Sequence, residues 1–485
     1  MEQTLQTEVD QVRNHCGYFL LEDWCIISAK GQETFSFLQT QTTNDVLQIQ
    51  LGQGQYNAIT DRQARLIANF SVHRVKEHEA LILVETSQKE LLLNHLETYH
   101  FREDVEFTAL DYRLLALQGP KSPLILEKVF ENQNLPEKPN DTTQLTLDGN
   151  RLDIIMKSLT GDEGHILCFQ NEFKDKLIQK FLKTKTPPIK VSETVREVLR
   201  IEAGIPIFGK DMDQKNILPE TGLEHTSVSY DKGCYIGQEV IARIKTYGAP
   251  NMALMGLTVE GSDLPPFNGI LRLGEKKIGT IKSSVHSVTL NKILSLAYIH
   301  KEHRSPDVDL EVTIENKSFK VKTCLLPFYQ SQTRKDHSKR LLTQALQIYK
   351  EQDDLDRPIA ILRESIELDA KNAEAYEALG VFLAKQDKLD EAIALMKRLT
   401  EINPKEIMAR TNLSVYYMKQ GRIEDAEIEK GEATALQFEQ LIEKNMAKKL
   451  KKKEEIPVGG KTKIEINPKA DIGVFSGGTS TGNLY

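Results

Sequence analysis

Leu355-Asp356-Arg357-Pro358-Ile359-Ala360 returns 34 residues later as Leu389-Asp390-Glu391-Ala392-Ile393-Ala394, and the same step leads on to Ile423-Glu424-Asp425-Ala426. A period of about 34 residues fits two antiparallel helices with their turns, and such a unit can bury its apolar stripe only by stacking on its neighbours. The middle copy is the most regular, with Tyr376, Leu379, Gly380 and Leu383 along one helix, Ala392 on the next and Pro404 closing the unit. Its flanking copies are looser: Pro358 stands where the middle copy has Ala392, and Lys430 falls where a large apolar residue is expected, as suits caps. The spacing predicts an all-α array over 341–443 whose concave face takes a protein or peptide partner.

That step is the spacing of tetratricopeptide repeats. Before it, Gln330 to Lys339 is polar and lacks an apolar pattern, so 331–340 reads as a linker. After it, Lys444 to Lys453 reads as a basic, solvated helix end, and Pro457 to Tyr485, rich in Gly, Ser, Thr and Lys, as a disordered tail. A chain of 485 residues, 40% hydrophobic and 27% charged, is long enough for several cores. A net charge of -7 gives no overall bias toward nucleic acid. No apolar run approaches the ~20 residues of a membrane span, and the N-terminus lacks the basic start and apolar core of a signal peptide, so a cytoplasmic location is expected. Cys16, Cys25, Cys168, Cys234 and Cys324 are odd in number and scattered, which argues against a disulfide framework or a self-contained metal site and fits a reducing compartment.

The chemistry concentrates in Asp231-Lys232-Gly233-Cys234-Tyr235-Ile236-Gly237-Gln238-Glu239-Val240-Ile241. Gly233 and Gly237 allow two sharp turns around Cys234. From Gln238 a short helix is expected, with Glu239 in its first turn and placed to pair with Arg243, and with Gly248 as its stop. A thiol near a helix N-terminus and next to the Lys232 ammonium should favour its thiolate, as a nucleophile or soft-metal ligand. Cys234 as a small buried residue in a tight turn is the competing reading.

Lys-Gly-Cys-Tyr-x-Gly-Gln-Glu resembles the signature of YgfZ-type folate-binding proteins, relatives of the aminomethyltransferase (T-protein) of glycine cleavage. Similar segments run in order through the chain: Glu22-Asp23-Trp24, Thr43-Asn44-Asp45-Val46, Leu115 to Pro120, Thr160 to Gly164, Arg196 to Pro206, Leu218-Pro219-Glu220, Leu296-Ala297-Tyr298 and Pro327-Phe328-Tyr329. The resemblance implies an α+β fold: a folate-binding body over 1–248 and a small β-barrel over 249–330, ahead of the all-α array. It implies tetrahydrofolate or a derivative as cofactor, with Glu202 accepting the pterin amino group and ring N–H, and Trp24 stacking on flat rings. Trp24 reads equally well as a core residue. Gly233, Tyr235, Gly237, Gln238, Glu239 and Arg243 would frame the ligand, and Cys234 with Lys232 would carry the chemistry. Arg196 stands where YgfZ relatives carry a second tryptophan. The aspartate that T-proteins carry shortly after a Val-Asn pair is missing; the stretch here is Val84-Glu85-Thr86-Ser87-Gln88-Lys89-Glu90, and Glu90 reads as a solvated helix residue. The resemblance then implies support of iron–sulfur client or assembly proteins, and through them of tRNA modification, without direct nucleic-acid binding. An active aminomethyl or methyl transferase and a repeat-based scaffold are the alternatives.

Overall fold

Alternation decides the first lobe. In the strand Leu66–Lys76, Ala68, Phe70 and Val72 point one way while Asn69, Ser71 and His73 point the other. A computed structural model describes residues 2–131, 133–247, 249–351 and 355–454. There this strand lies in a five-stranded antiparallel sheet ordered Gly54–Thr60, Leu66–Lys76, Glu79–Glu85, Trp24–Lys30, Glu106–Leu110. Its apolar face (Ile27, Ile59, Phe70, Val84) packs with Phe35 and Leu38 of the helix Thr34–Gln41 and Leu92 of the helix Lys89–Thr98. The opposite face carries the polar set and turns toward the rest of the body.

A six-stranded sheet forms the second lobe, from the strands 189–190, 17–20, 112–118, 164–170, 150–156 and 142–147 in that order. The third lobe is a closed six-stranded barrel between Met252 and Cys324. One helix, Glu193–Glu202, ties the lobes together. Its Arg200 donates to Asp211 at 2.8 Å, to Glu197 at 2.6 and 2.7 Å and to barrel Ser283 at 2.8 Å. Among the described residues no helix is long and apolar enough to cross a membrane.

The repeat step is realised in six helices: Gln332–Glu351, Asp356–Leu368, Ala373–Lys385, Leu389–Ile402, Ile407–Lys419 and Ile423–Glu454. The recurring phrase marks the start of the second helix of each pair, at 356, 389 and 423. Gly380 sits at the close approach of two helices, where a Cβ would lie 2.4 Å from Met396 Cε and make that flexible side chain shift. The expected linker is corrected: nearly all of 331–340 forms the first turns of a helix, with Ser338 bonded to Ser365 Oγ at 2.9 Å across the pair. The polar residues misled because only Ser338 of that first stretch faces the array core. Lys444 to Lys453 falls within the last helix. The helix-stop reading of Gly248 and the tail from Pro457 to Tyr485 lie outside the described residues.

Candidate functional site

The signature segment is held against the first sheet by a glycine. Gly237 has φ +89°, and a Cβ there would lie 2.5 Å from Thr60 Oγ1 and 2.6 Å from Asp61 O. Thr60 Oγ1 in turn donates to Ile236 O at 2.7 Å, so the segment sits on the end of the strand Gly54–Thr60. Gly233 differs, with open space around it and no positive φ; the sharp turn belongs to Gly237 alone. The helix begins at Gln238 as expected. Glu239 and Arg243 are both exposed and form no ion pair with each other, so the expected i,i+4 pair is corrected; in water such a pair gains little against side-chain entropy.

Lys232 is placed otherwise than its neighbourhood to Cys234 suggested. Its Nζ donates to the carbonyls of Gln39, Thr42 and Asn44 at 2.5, 2.6 and 2.8 Å, using all three N–H bonds at the C-terminal end of the helix Thr34–Gln41. Burial pushes its pKa down to about 8, with Asp45 opposing. The ammonium is therefore committed to the body rather than to the thiol. Tyr235 is buried beside Ala58, Leu66, Phe208 and Ile241, and its hydroxyl has no hydrogen-bond partner. Cys234 is exposed, whereas Cys16 and Cys168 are buried and Cys25 and Cys324 half-buried; all are free thiols. Burial raises the pKa of those four.

Glu202 anchors a different junction. It is 0% exposed, and its carboxylate accepts from Arg13 Nη2 at 2.5 Å, barrel Ser287 Oγ at 2.6 Å and Thr289 Oγ1 at 3.0 Å. Arg13 also donates to Asp162 and to Thr160 O, both at 2.5 Å, and its guanidinium lies 3.5 Å from the Tyr329 ring centroid. In this fold the Glu202 carboxylate, expected to face a pterin, carries three lobe-joining donors on its oxygens.

Cross-strand register builds a second constellation. Trp24 pairs with Glu85, and one step beyond the Phe70–Val84 pair the same row reaches Asn69 and then Ala58. Directly paired residues project to one side, so Trp24, Glu85, Asn69 and Ala58 share a face, and the Tyr56–Ser71 pair lies on it two residues along. Glu85 is 8% exposed. Burial pushes its carboxyl up to about 7, and nearby Asp23 adds to this, while the Gln88 amide, the Phe208 N–H and Arg200 oppose it. Asn69 Oδ1 is buried without a hydrogen-bond partner. Tyr56 is pushed up by burial and then by Glu85. The expected arginine is beside this face: Arg196 donates to Asp23 at 2.6 Å and helps line a cleft of about 400 Å³ with Phe19, Glu22, Lys190 and Glu193. Glu85, Asn69 and Tyr56 were missed in the sequence; the signal is polar alternation inside a fully buried strand, where each polar residue needs a partner.

The array is bonded to the body at several points. Glu364 pairs with Lys138 at 3.0 Å and Glu367 accepts from Asn140 at 2.5 Å. Lys371 donates to Pro327 O at 2.6 Å and Lys397 to Lys245 O at 3.4 Å. No group of three His, Cys, Asp or Glu among the described residues is placed to hold a metal ion.

Comparison with known proteins agrees with this architecture. Residues 1–232 match the GCVT N-terminal domain, 253–330 the glycine cleavage T-protein C-terminal barrel domain, and 373–406 a tetratricopeptide repeat. Proteins named aminomethyltransferase from Bacillus cereus (strain G9842) and Bacillus anthracis are each 27% identical over 333 residues, covering 67% of this chain and 90% of theirs. The crystal structure of the glycine cleavage system aminomethyltransferase T from Bartonella henselae shares the fold, with a TM-score of 0.62 at 20% identity over 67% of this chain and 90% of that one. The chain thus matches the models of both T-protein domains, with a tetratricopeptide extension behind them.

Proposed function

We propose that this is a folate-binding protein of the YgfZ type, in which a T-protein body holds tetrahydrofolate or a derivative and Cys234 serves the assembly or repair of iron–sulfur proteins, and through them tRNA-modifying enzymes. The observation that carries the reading is the sorting of the thiols: four are buried or half-buried, and Cys234 alone stands exposed on a segment pinned by Gly237 and Lys232. An exposed thiol on a fixed frame suits encounter with a client protein. The interior face suits a folate. A pterin offers an amino group and a ring N–H, and Glu85 and Asn69 Oδ1 are acceptors with room for new donors, flanked by the rings of Trp24 and Tyr56. When bound, the folate supplies a one-carbon carrier.

Glu90 supports this reading over amine transfer. Its side chain is 75% exposed and its neighbour is Lys89 at 3.7 Å, so it sits in water at the start of a helix. The test is Cys234→Ser: folate affinity should stay unchanged while support of an iron–sulfur enzyme is lost. Full retention of that support would return Cys234 to a structural role. A second reading, an active aminomethyltransferase, is favoured by the relatives so named along 90% of their length. Turnover with tetrahydrofolate that Glu90→Gln abolishes would establish it.

A further inference from the structure

One buried cation in the body lacks a partner. Lys157 is 8% exposed, and among the described residues its ammonium makes no hydrogen bond and no ion pair; its neighbour is the Tyr56 ring, whose centroid lies 3.9 Å away. Burying an ammonium this way is costly unless something pairs with it. The nearest carboxylate in electrostatic terms is Glu367 of the array, which is engaged instead by Asn140 Nδ2 at 2.5 Å and is itself held protonated more readily by burial. His73, bonded to Asn140 O at 3.1 Å and to Ser71 Oγ at 2.9 Å, closes the same corner as a neutral ring. Lys157 is thus a donor held ready with no acceptor supplied by the described residues.

Its place relative to the ligand face follows from register. Tyr56 and Glu85 lie on one face of the sheet with a single strand between theirs, so about two strand spacings, roughly 10 Å, separate their strands. The span from Glu85 past Tyr56 to Lys157 therefore exceeds a pterin ring and runs toward the side covered by the array. On the folate reading, on which this rests, a ligand with its ring system at Glu85 and Asn69 has its tail directed along Tyr56.

We infer that Lys157 receives the anionic tail of the bound folate, the acyl-glutamate carboxylates, at a subsite whose outer wall is the Glu367 end of the tetratricopeptide array. The array would then be part of the binding site and not only a recruiting arm, and ligand occupancy and partner binding would be linked through it.

The experiment is titration calorimetry on the full chain with two probes: tetrahydrofolate, and 6-methyltetrahydropterin, which has the ring system and no tail. Lys157→Met, which keeps the apolar stem, should weaken tetrahydrofolate binding by tenfold or more and leave 6-methyltetrahydropterin binding unchanged. Lys157→Arg should recover much of the loss. Equal weakening of both probes, or no change in either, overturns the inference while leaving a folate site in place. Failure of the unsubstituted chain to bind either probe removes the folate reading and this subsite together.

Discussion

Two buried glutamates, Glu202 and Glu85, separate scaffold from site. Both sit in the body with little or no exposure, and the sequence favours Glu202, which lies on a helix that carries the family resemblance. The structure distinguishes them by what surrounds the carboxyl. Glu202 has a guanidinium and two hydroxyls on its oxygens, whereas Glu85 is pushed up to about 7 because burial outweighs its few donors. A group whose bonding is complete within the chain holds lobes together; one left short of partners is waiting for something.

Breaking the scaffold side should give the largest effect. Glu202→Ala leaves Arg13 buried beside Asp162 with one partner gone and frees Ser287 and Thr289 on the barrel, so a loss of about 3–5 kcal/mol in unfolding free energy is expected from urea titration. If that substitution instead left stability unchanged and selectively removed folate binding, the contrast drawn between the two glutamates would be reversed.

The site side should behave oppositely. Because the folded value of Glu85 lies above the ordinary carboxyl value of 4.5, the neutral form is preferred in the fold, and its contribution to stability is complete below that value and fades as pH climbs through about 7. Relative to Glu85→Gln, the unsubstituted chain should lose on the order of 2–3 kcal/mol between pH 5 and pH 8. The glutamine variant should therefore be the more stable of the two at pH 8, and the weaker folate binder. Parallel pH profiles for the two proteins would show that Glu85 is satisfied after all.

These contrasts explain what was legible beforehand. The repeat period fixed the array because each helix pair must bury the same stripe, and the signature string located a turn and helix because Gly237 and Gln238 act through local backbone geometry. Partner choice was not legible. Lys232 stands two residues from Cys234, yet its ammonium reaches back to Gln39, Thr42 and Asn44, a contact set by how the segment packs on the first lobe. Arg13 meets Glu202 across most of the body in the same way. Asn69, Ser71 and His73 did carry a readable sign, since polar alternation in an apolar strand makes a face that must be satisfied or occupied. The polar opening of the array hid a helix because its first turns need to place only Ser338 inward.

Lys232 and Cys234 repeat the contrast within three residues, and they sharpen it at the small end of the scale. Lys232→Met removes three donated hydrogen bonds from a helix end where water can partly replace them, so about 1–2 kcal/mol should be lost, together with order in the segment that carries Cys234. Cys234→Ser touches an exposed side chain and should shift stability by less than about 0.5 kcal/mol. Alkylation by iodoacetamide under native conditions should label Cys234 ahead of the other four thiols, which burial protects. In Lys232→Met the selectivity should persist while hydrogen exchange around Cys234 quickens, because the lysine fixes where the thiol stands and its ammonium is spent on carbonyls. A marked fall in the Cys234 alkylation rate with unchanged exchange would instead mean that the ammonium activates the sulfur, and Lys232 would move from the scaffold side of the comparison to the site side.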